Sequence, residues 1–163
     1  MATKIREKPH RLPKEYYKGT SSVAVTMCIK DRVSIFANPK IVEVFVGFLK
    51  EIAEKYPCDI PVYCFMPDHL HLVITGNNNE VDLLKVISAY KQNTGFWLSK
   101  NKIGVRWQKD FFDHVIKKDE SLSRNIKYIL DNPVRKGIVE DWQEYPYKGT
   151  IGYNFEDILI GLV

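Results

Sequence analysis

The run Met66-Pro67-Asp68-His69-Leu70-His71-Leu72-Val73-Ile74 has the two-residue alternation of a β-strand from His69 onward. Strand side chains alternate between faces, so His69, His71 and Val73 share one face and Leu70, Leu72 and Ile74 the other. Two imidazoles on neighbouring positions of one face make half a metal site, and a strand holds them in place without further ordering. The weaker alternative, on this motif alone, is two surface histidines on a half-exposed strand.

Working outward, Ile60 to Met66 forms a preceding strand, and the tight Pro67-Asp68 connection makes the pair an antiparallel hairpin. The turn position of Asp68 suits a turn role better than a hydrogen bond to a histidine. Upstream, Ser22 to Lys30 alternates around Val23, Val25 and Ile29 as a strand. Pro39 opens a helix to about Tyr56, with Ile41, Val44, Phe45, Phe48, Leu49, Ile52 and Ala53 on the 3.6-residue period. Downstream, a helix from Val81 to Lys100 ends before Gly104, and Phe111 to Lys117 reads as a last strand. The order β-α-β-β-α-β predicts an α+β, ferredoxin-like split β-α-β fold with an antiparallel sheet. Both helices then cover one face. The leucines point into that core, the histidines face the other way, and an additional C-terminal helix, Asp119 to Leu130, can cross the open face.

A chain of 163 residues, 45% hydrophobic, is long enough for one core. The reading divides it into a basic N-terminal tail (1–18), one domain (19–153) and a C-terminal tail (154–163). No run approaches the length of a membrane span and the N-terminus lacks a signal-peptide apolar region, so a cytoplasmic protein without membrane contact is expected. Cys28, Cys58 and Cys64 lack CxxC spacing and read as reduced core thiols.

The net charge of +4 is unevenly spread: residues 1–18 carry +4 and residues 85–118 carry +6. Such segments suit a polyanion-binding surface, although most lysine-rich stretches are only solvated faces. Tyr90, Phe96, Trp97, Trp107, Phe111 and Phe112 interleave with the second segment and supply rings of the kind that stack on unpaired bases. Several of them are needed for the core.

The final helix carries Tyr128-Ile129-Leu130-Asp131-Asn132-Pro133. Tyr128 and Asn132, at i and i+4, project from one helix face, and Pro133 places the helix end near Asn132. Asn132 has an amide oxygen to offer as a third ligand beside two histidines. Taken alone, Tyr128 reads as a packing tyrosine and Asn132 as a C-terminal cap.

Together these residues resemble the REP-associated tyrosine transposases, a branch of the HUH single-strand transposases. The resemblance rests on Pro67-Asp68-His69-Leu70-His71, on Trp107-Gln108-Lys109-Asp110-Phe111 followed by Asp113-His114-Val115-Ile116, on Tyr128 through Val134, and on Tyr145-Pro146-Tyr147. It spans roughly residues 15 to 150. It implies the same ferredoxin-like fold, Tyr128 as nucleophile, and a divalent metal, Mg²⁺ or Mn²⁺, at His69, His71 and Asn132. It further implies cleavage and rejoining of single-stranded DNA through a 5′-phosphotyrosyl intermediate, on hairpins of palindromic repeats, by a monomer or homodimer. Arg6, Arg11, Lys91, Lys109, Arg135 and Lys136 would meet phosphates and Trp107 would stack on bases. Cys64 would favour Zn²⁺ only by reaching the site. Tyr90 is the second candidate nucleophile, and His114 reads as structural. The competing readings are a domesticated protein that binds DNA or RNA hairpins without cutting, and a metal-dependent hydrolase that uses water.

Overall fold

The computed structural model describes residues 12–117 and 120–160. Strand β1 (Ser22–Cys28) leads through a turn at Lys30–Arg32 to helix α1 (Pro39–Lys55). Strands β2 (Cys58–Met66) and β3 (His69–Gly76) follow as the hairpin, then α2 (Leu83–Lys100) and β4 (Phe112–Ile116). The strand order β4-β1-β3-β2, with antiparallel neighbours, is the expected α+β arrangement. After it come α3 (Leu122–Leu130), α4 (Asn132–Arg135), β5 (Lys148–Ile151) and α5 (Phe155–Ile160).

Local chemistry sets the helix starts. The Asn38 side chain accepts from the Lys40 amide at 3.0 Å, with Pro39 in the first turn, and Asp82 caps α2 through the amides of Leu84 and Lys85. The cap moves the start of α2 from the expected Val81 to Leu83. The first strand stops at Cys28 rather than Lys30, because Ile29 pairs across to Trp107 instead.

The sheet is covered on both faces. On one, Val23, Val25, Leu70, Leu72 and Ile74 pack against Phe45, Leu49, Leu83 and Ile87 of α1 and α2. On the other, Val62, Cys64, Met66 and Val73 pack against Ile126, Ile129 and Leu130 of α3, and against Tyr145. Those α3 positions lie at i, i+3 and i+4, so one stripe of the helix is buried and the rest stays outside.

A fifth strand, β5, was not expected. Lys148–Ile151 is short and carries a glycine, and its partner β2 is 82 residues or more away in sequence. Gly149 is required there, since a Cβ would lie 2.5 Å from the Tyr63 hydroxyl oxygen. Both pairings of β2 shift register around Pro61, which has no N–H to give a ladder. Packing also continues on both sides of the expected 19–153 unit: Tyr17 is buried and bonds Asp113, and Phe155 meets Trp142 edge to face. No helix among the described residues is long and apolar enough to cross a membrane.

Candidate active site

The antiparallel register builds the site floor. Phe112, Thr26 and His71 are successive partners across β4, β1 and β3, and Cys28 pairs with His69 one row along. His69 Nε2 and His71 Nε2 point at each other, 3.0 Å apart. Their outer nitrogens are both engaged. His69 Nδ1 donates to Asp68 Oδ1 at 2.6 Å, and His71 Nδ1 lies 2.9 Å from Thr26 Oγ1. Asp68 is therefore an orienting group for His69 as well as a turn residue, against the simpler expectation. An Nδ1–H held by a carboxylate leaves the His69 Nε2 lone pair aimed inward.

Burial lowers the His69 pKa below its ordinary value, and the Asp68 hydrogen bond only partly restores it. His71 is pushed down to about 3, first by burial, then by the neighbouring His69 and by Arg135, Arg32 and Lys136. Both rings are neutral at pH 7, the form in which imidazole binds metals.

Tyr128 and Asn132 come to this floor from α3 and α4. Pro133 cannot donate to the Ile129 carbonyl, so the helix breaks after Leu130. It does not end at Asn132 as expected: Asp131 keeps a helical conformation and α4 resumes directly. With Ile126, Ile129 and Leu130 buried, Tyr128 lies on the outer side, 63% exposed. Asn132 is buried, and its Nδ2 has no hydrogen-bond partner. Tyr128, Asn132, His69 and His71 line one cleft of about 420 Å³, together with Thr26, Cys28, Arg32, Phe112, Arg135 and Lys136.

The donor set fits a divalent cation. Two neutral nitrogens 3.0 Å apart match adjacent ligands about 2.1 Å from one ion. An amide whose orientation is not tied by a second hydrogen bond can turn its oxygen to the same point. Among the described residues no group of three or more His, Cys, Asp or Glu has metal-binding spacing, so an amide oxygen is the available third donor. Cys64 sits across from His71, but it packs with Val62 and Met66, and burial pushes its thiol up to about 12. It is a core thiol and gives no support to Zn²⁺.

The basic residues divide. Arg135 and Lys136 border the cleft; the Arg135 guanidinium stacks 3.9 Å from the Tyr128 ring centre and donates to the Tyr128 carbonyl at 2.8 Å. Lys91 donates to the Lys109 carbonyl and lies over Phe111, while the Lys109 side chain is exposed; neither lines the cleft. Arg6 and Arg11 lie outside the described residues. Trp107 is a correction. It is 6% exposed, stacks among Phe36 and Phe45, and donates to Thr94 Oγ1, so its ring is core and closed to bases. Tyr90, inside α2, is buried with its hydroxyl on the Phe45 carbonyl, which removes it as a nucleophile. His114 is exposed and pairs with Glu120 at 2.7 Å. Phe112 keeps the exposed ring that Trp107 lacks. Arg32 was missed by sequence reasoning, since nothing in its spacing links it to the histidines.

The site therefore joins two histidines on one face of the sheet to an exposed tyrosine and a buried asparagine from the helices that cross it. Residues 18–132 match the family described as "Transposase IS200 like". A Haemophilus influenzae protein provisionally named a REP-associated tyrosine transposase is 30% identical over 133 residues, 75% of each chain. The REP-associated tyrosine transposase of Escherichia coli is 24% identical over 97 residues, covering 60% of this chain and 57% of that one. A solved REP-associated tyrosine transposase bound to a REP hairpin superposes with a TM-score of 0.76 at 18% identity, covering 96% of this chain and 88% of the other. The chain belongs to the IS200-like transposase family, and its fold is that of a REP-associated tyrosine transposase.

Proposed function

We propose that this transposase cleaves and rejoins single-stranded hairpin DNA with Tyr128 as nucleophile and with a divalent cation, Mg²⁺ or Mn²⁺, held by His69, His71 and Asn132. The observation that carries the reading is the meeting of Tyr128 and Asn132 with His69 and His71 in one cleft, across more than fifty residues of sequence. The hairpin is suggested by the REP hairpin bound to the structural relative and by the cations bordering the cleft.

Phosphodiester transfer needs a nucleophile, a polarised phosphorus and a stabilised leaving oxygen. Tyr128 Oη attacks phosphorus, its proton passing to solvent, and the P–O3′ bond breaks as the new O–P bond forms. The strand is left with a free 3′-hydroxyl and a 5′-phosphotyrosyl link, which another 3′-hydroxyl reverses without an energy source. A bound divalent ion supplies Lewis-acid polarisation of the phosphate and neutralises charge on the departing oxygen. Asp68 and Thr26 keep the two imidazoles turned inward. Arg135 holds the Tyr128 ring and presents positive charge where the phosphate would lie. Phe112, exposed on the cleft wall, offers a face to the base beside the cut.

The test is incubation with labelled hairpins from the flanks of its own gene, with Mn²⁺ or Mg²⁺, followed by denaturing electrophoresis. A protein-linked band that needs metal and vanishes in Tyr128→Phe is expected. Cleavage that survives in Tyr128→Phe would mean a water nucleophile, and retention in a native gel without any cutting would mean a hairpin-binding protein.

A further inference from the structure

The turn between β1 and the segment leading to α1 has an unusual backbone. Asp31 (φ 60°) and Arg32 (φ 55°) are consecutive non-glycine residues in the left-handed region, which L side chains avoid. Asp31 is a residue type that tolerates this conformation, but Arg32 is not, so the strain lies at Arg32. Such strain persists only where surrounding contacts determine it, and here both main-chain bonds and the Arg32 side chain supply them.

Its guanidinium grips two groups. Nε donates to Asp68 Oδ2 at 2.8 Å, and Nη1 donates to Cys28 Sγ at 3.0 Å. Cys28 is the β1 partner of His69, and the other Asp68 oxygen accepts from His69 Nδ1 at 2.6 Å. Main-chain bonds fix the same corner: the Ile29 amide donates to the Asp68 carbonyl at 2.9 Å, and the Phe36 amide to the Pro67 carbonyl at 3.0 Å. A carboxylate with one oxygen on a guanidinium and one on an imidazole cannot rotate without losing one of them.

We propose that Arg32 is a positioning residue for His69: it locks the Asp68 carboxylate so that His69 keeps its proton on Nδ1 and its Nε2 lone pair toward the cleft. The proposal rests on the metal-binding reading of the histidines. Arg32 acts through Asp68 and does not need to touch the metal or the DNA. Its strained backbone is the geometry that lets one side chain reach Asp68 and Cys28 together, and lysine lacks the rigid fork of two spaced nitrogens that meets them.

Two opposite effects separate this role from simple charge. Arg32 is a cation beside a cation site, so as a bare charge its removal would tighten metal binding. As a positioning residue its removal loosens binding, since loss of an orienting partner costs about 10–100-fold in metal affinity. The sign of the change therefore decides.

The experiment has two readouts on Arg32→Gln and Arg32→Lys. The first is the His69 tautomer in metal-free protein, from long-range ¹⁵N–¹H correlation. Wild type should show a single Nδ1–H form and Arg32→Gln a mixture, with Arg32→Lys between them. The second is Mn²⁺ titration by calorimetry, with about a tenfold loss expected in Arg32→Gln and a much smaller further loss when that change is added to Asp68→Asn. An unchanged tautomer, or Mn²⁺ binding that is equal or tighter in Arg32→Gln, overturns the proposal. If wild type itself binds no Mn²⁺, the metal reading fails instead, and the tautomer still decides whether Arg32 orients His69. Should Arg32→Gln not fold, Asp68→Asn carries both readouts: a retained single Nδ1–H form with wild-type Mn²⁺ affinity would overturn the relay.

Discussion

The Arg135 guanidinium lies 3.9 Å from the centre of the Tyr128 ring and donates to the Tyr128 carbonyl at 2.8 Å, seven residues back along the chain. The break at Asp131 makes this contact possible by letting α4 restart, so that Arg135 folds over the preceding turn. Tyr128 is 63% exposed and has no core packing to hold its ring, which makes Arg135 its main restraint.

Replacing Arg135 should therefore act on the reaction more than on the fold. An exposed cation–π contact is worth about 0.5–1 kcal/mol, so Arg135→Ala should unfold within that margin of wild type. Its single-turnover cleavage rate should fall by about tenfold or more, and Arg135→Lys should retain part of it. Rapid-quench assays at saturating hairpin check this; an unchanged rate would mean that Arg135 does not restrain the nucleophile.

Metal-free protein should lose stability on mild acidification. His71 titrates at about 3 when folded, against an ordinary value near 6.5, so between those values the unfolded chain binds more protons. The contribution of this residue is fully present well above pH ~6.5 and is lost progressively as the pH falls from there toward the folded value, a loss of a few kcal/mol. Urea midpoints across that range should show the fall, and His71→Gln should flatten it.

Thiol labelling should sort the three cysteines. Burial pushes Cys58 up to about 11 and Cys64 up to about 12, so both stay protonated and enclosed at pH 8. Cys28 lines the cleft, and although burial raises its pKa, Arg32 opposes the rise. Cys28 is itself only 5% exposed, so it should react slowly with a chromogenic disulfide in the native protein but ahead of the other two, and Cys28→Ser should abolish that first phase.

Trp107→Phe tests the reassignment of the tryptophan. It loses the Nε1 hydrogen bond and leaves Thr94 Oγ1 without that donor in a buried setting, so about 1–3 kcal/mol of stability should go. Hairpin affinity per folded molecule should not change. A specific loss of affinity in fully folded variant would return Trp107 to the DNA surface.

Much of the fold was legible because its signals are local. The alternation around His69 and Leu70, the period of Ile41 to Ile52, and Pro39 at a helix start each act over a few residues. The pairing of β2 with β5 was not, since Gly149 interrupts the segment and Thr150-Ile151 is too short a β-branched run to announce a strand whose partner lies more than eighty residues away. For the site, His69 and His71 declare themselves by spacing, and Tyr128 and Asn132 through the resemblance. Arg32 and Thr26 carry no such mark: each becomes part of the site only when β1 lies beside β3. Trp107 misled for the same reason, because a ring in a basic segment reads alike whether it faces solvent or core.

The sequence by itself determined the order of elements and the face on which the histidines lie, because backbone periodicity and turn chemistry are short-range. Tertiary structure alone decided which residues surround them. Sheet register puts Thr26 on His71 and Cys28 beside His69, a strained turn brings Arg32 to Asp68, and a broken helix sets Arg135 over Tyr128. These contacts depend on where separate elements dock, and docking follows from burying both sheet faces at once, a condition no single segment of the chain contains.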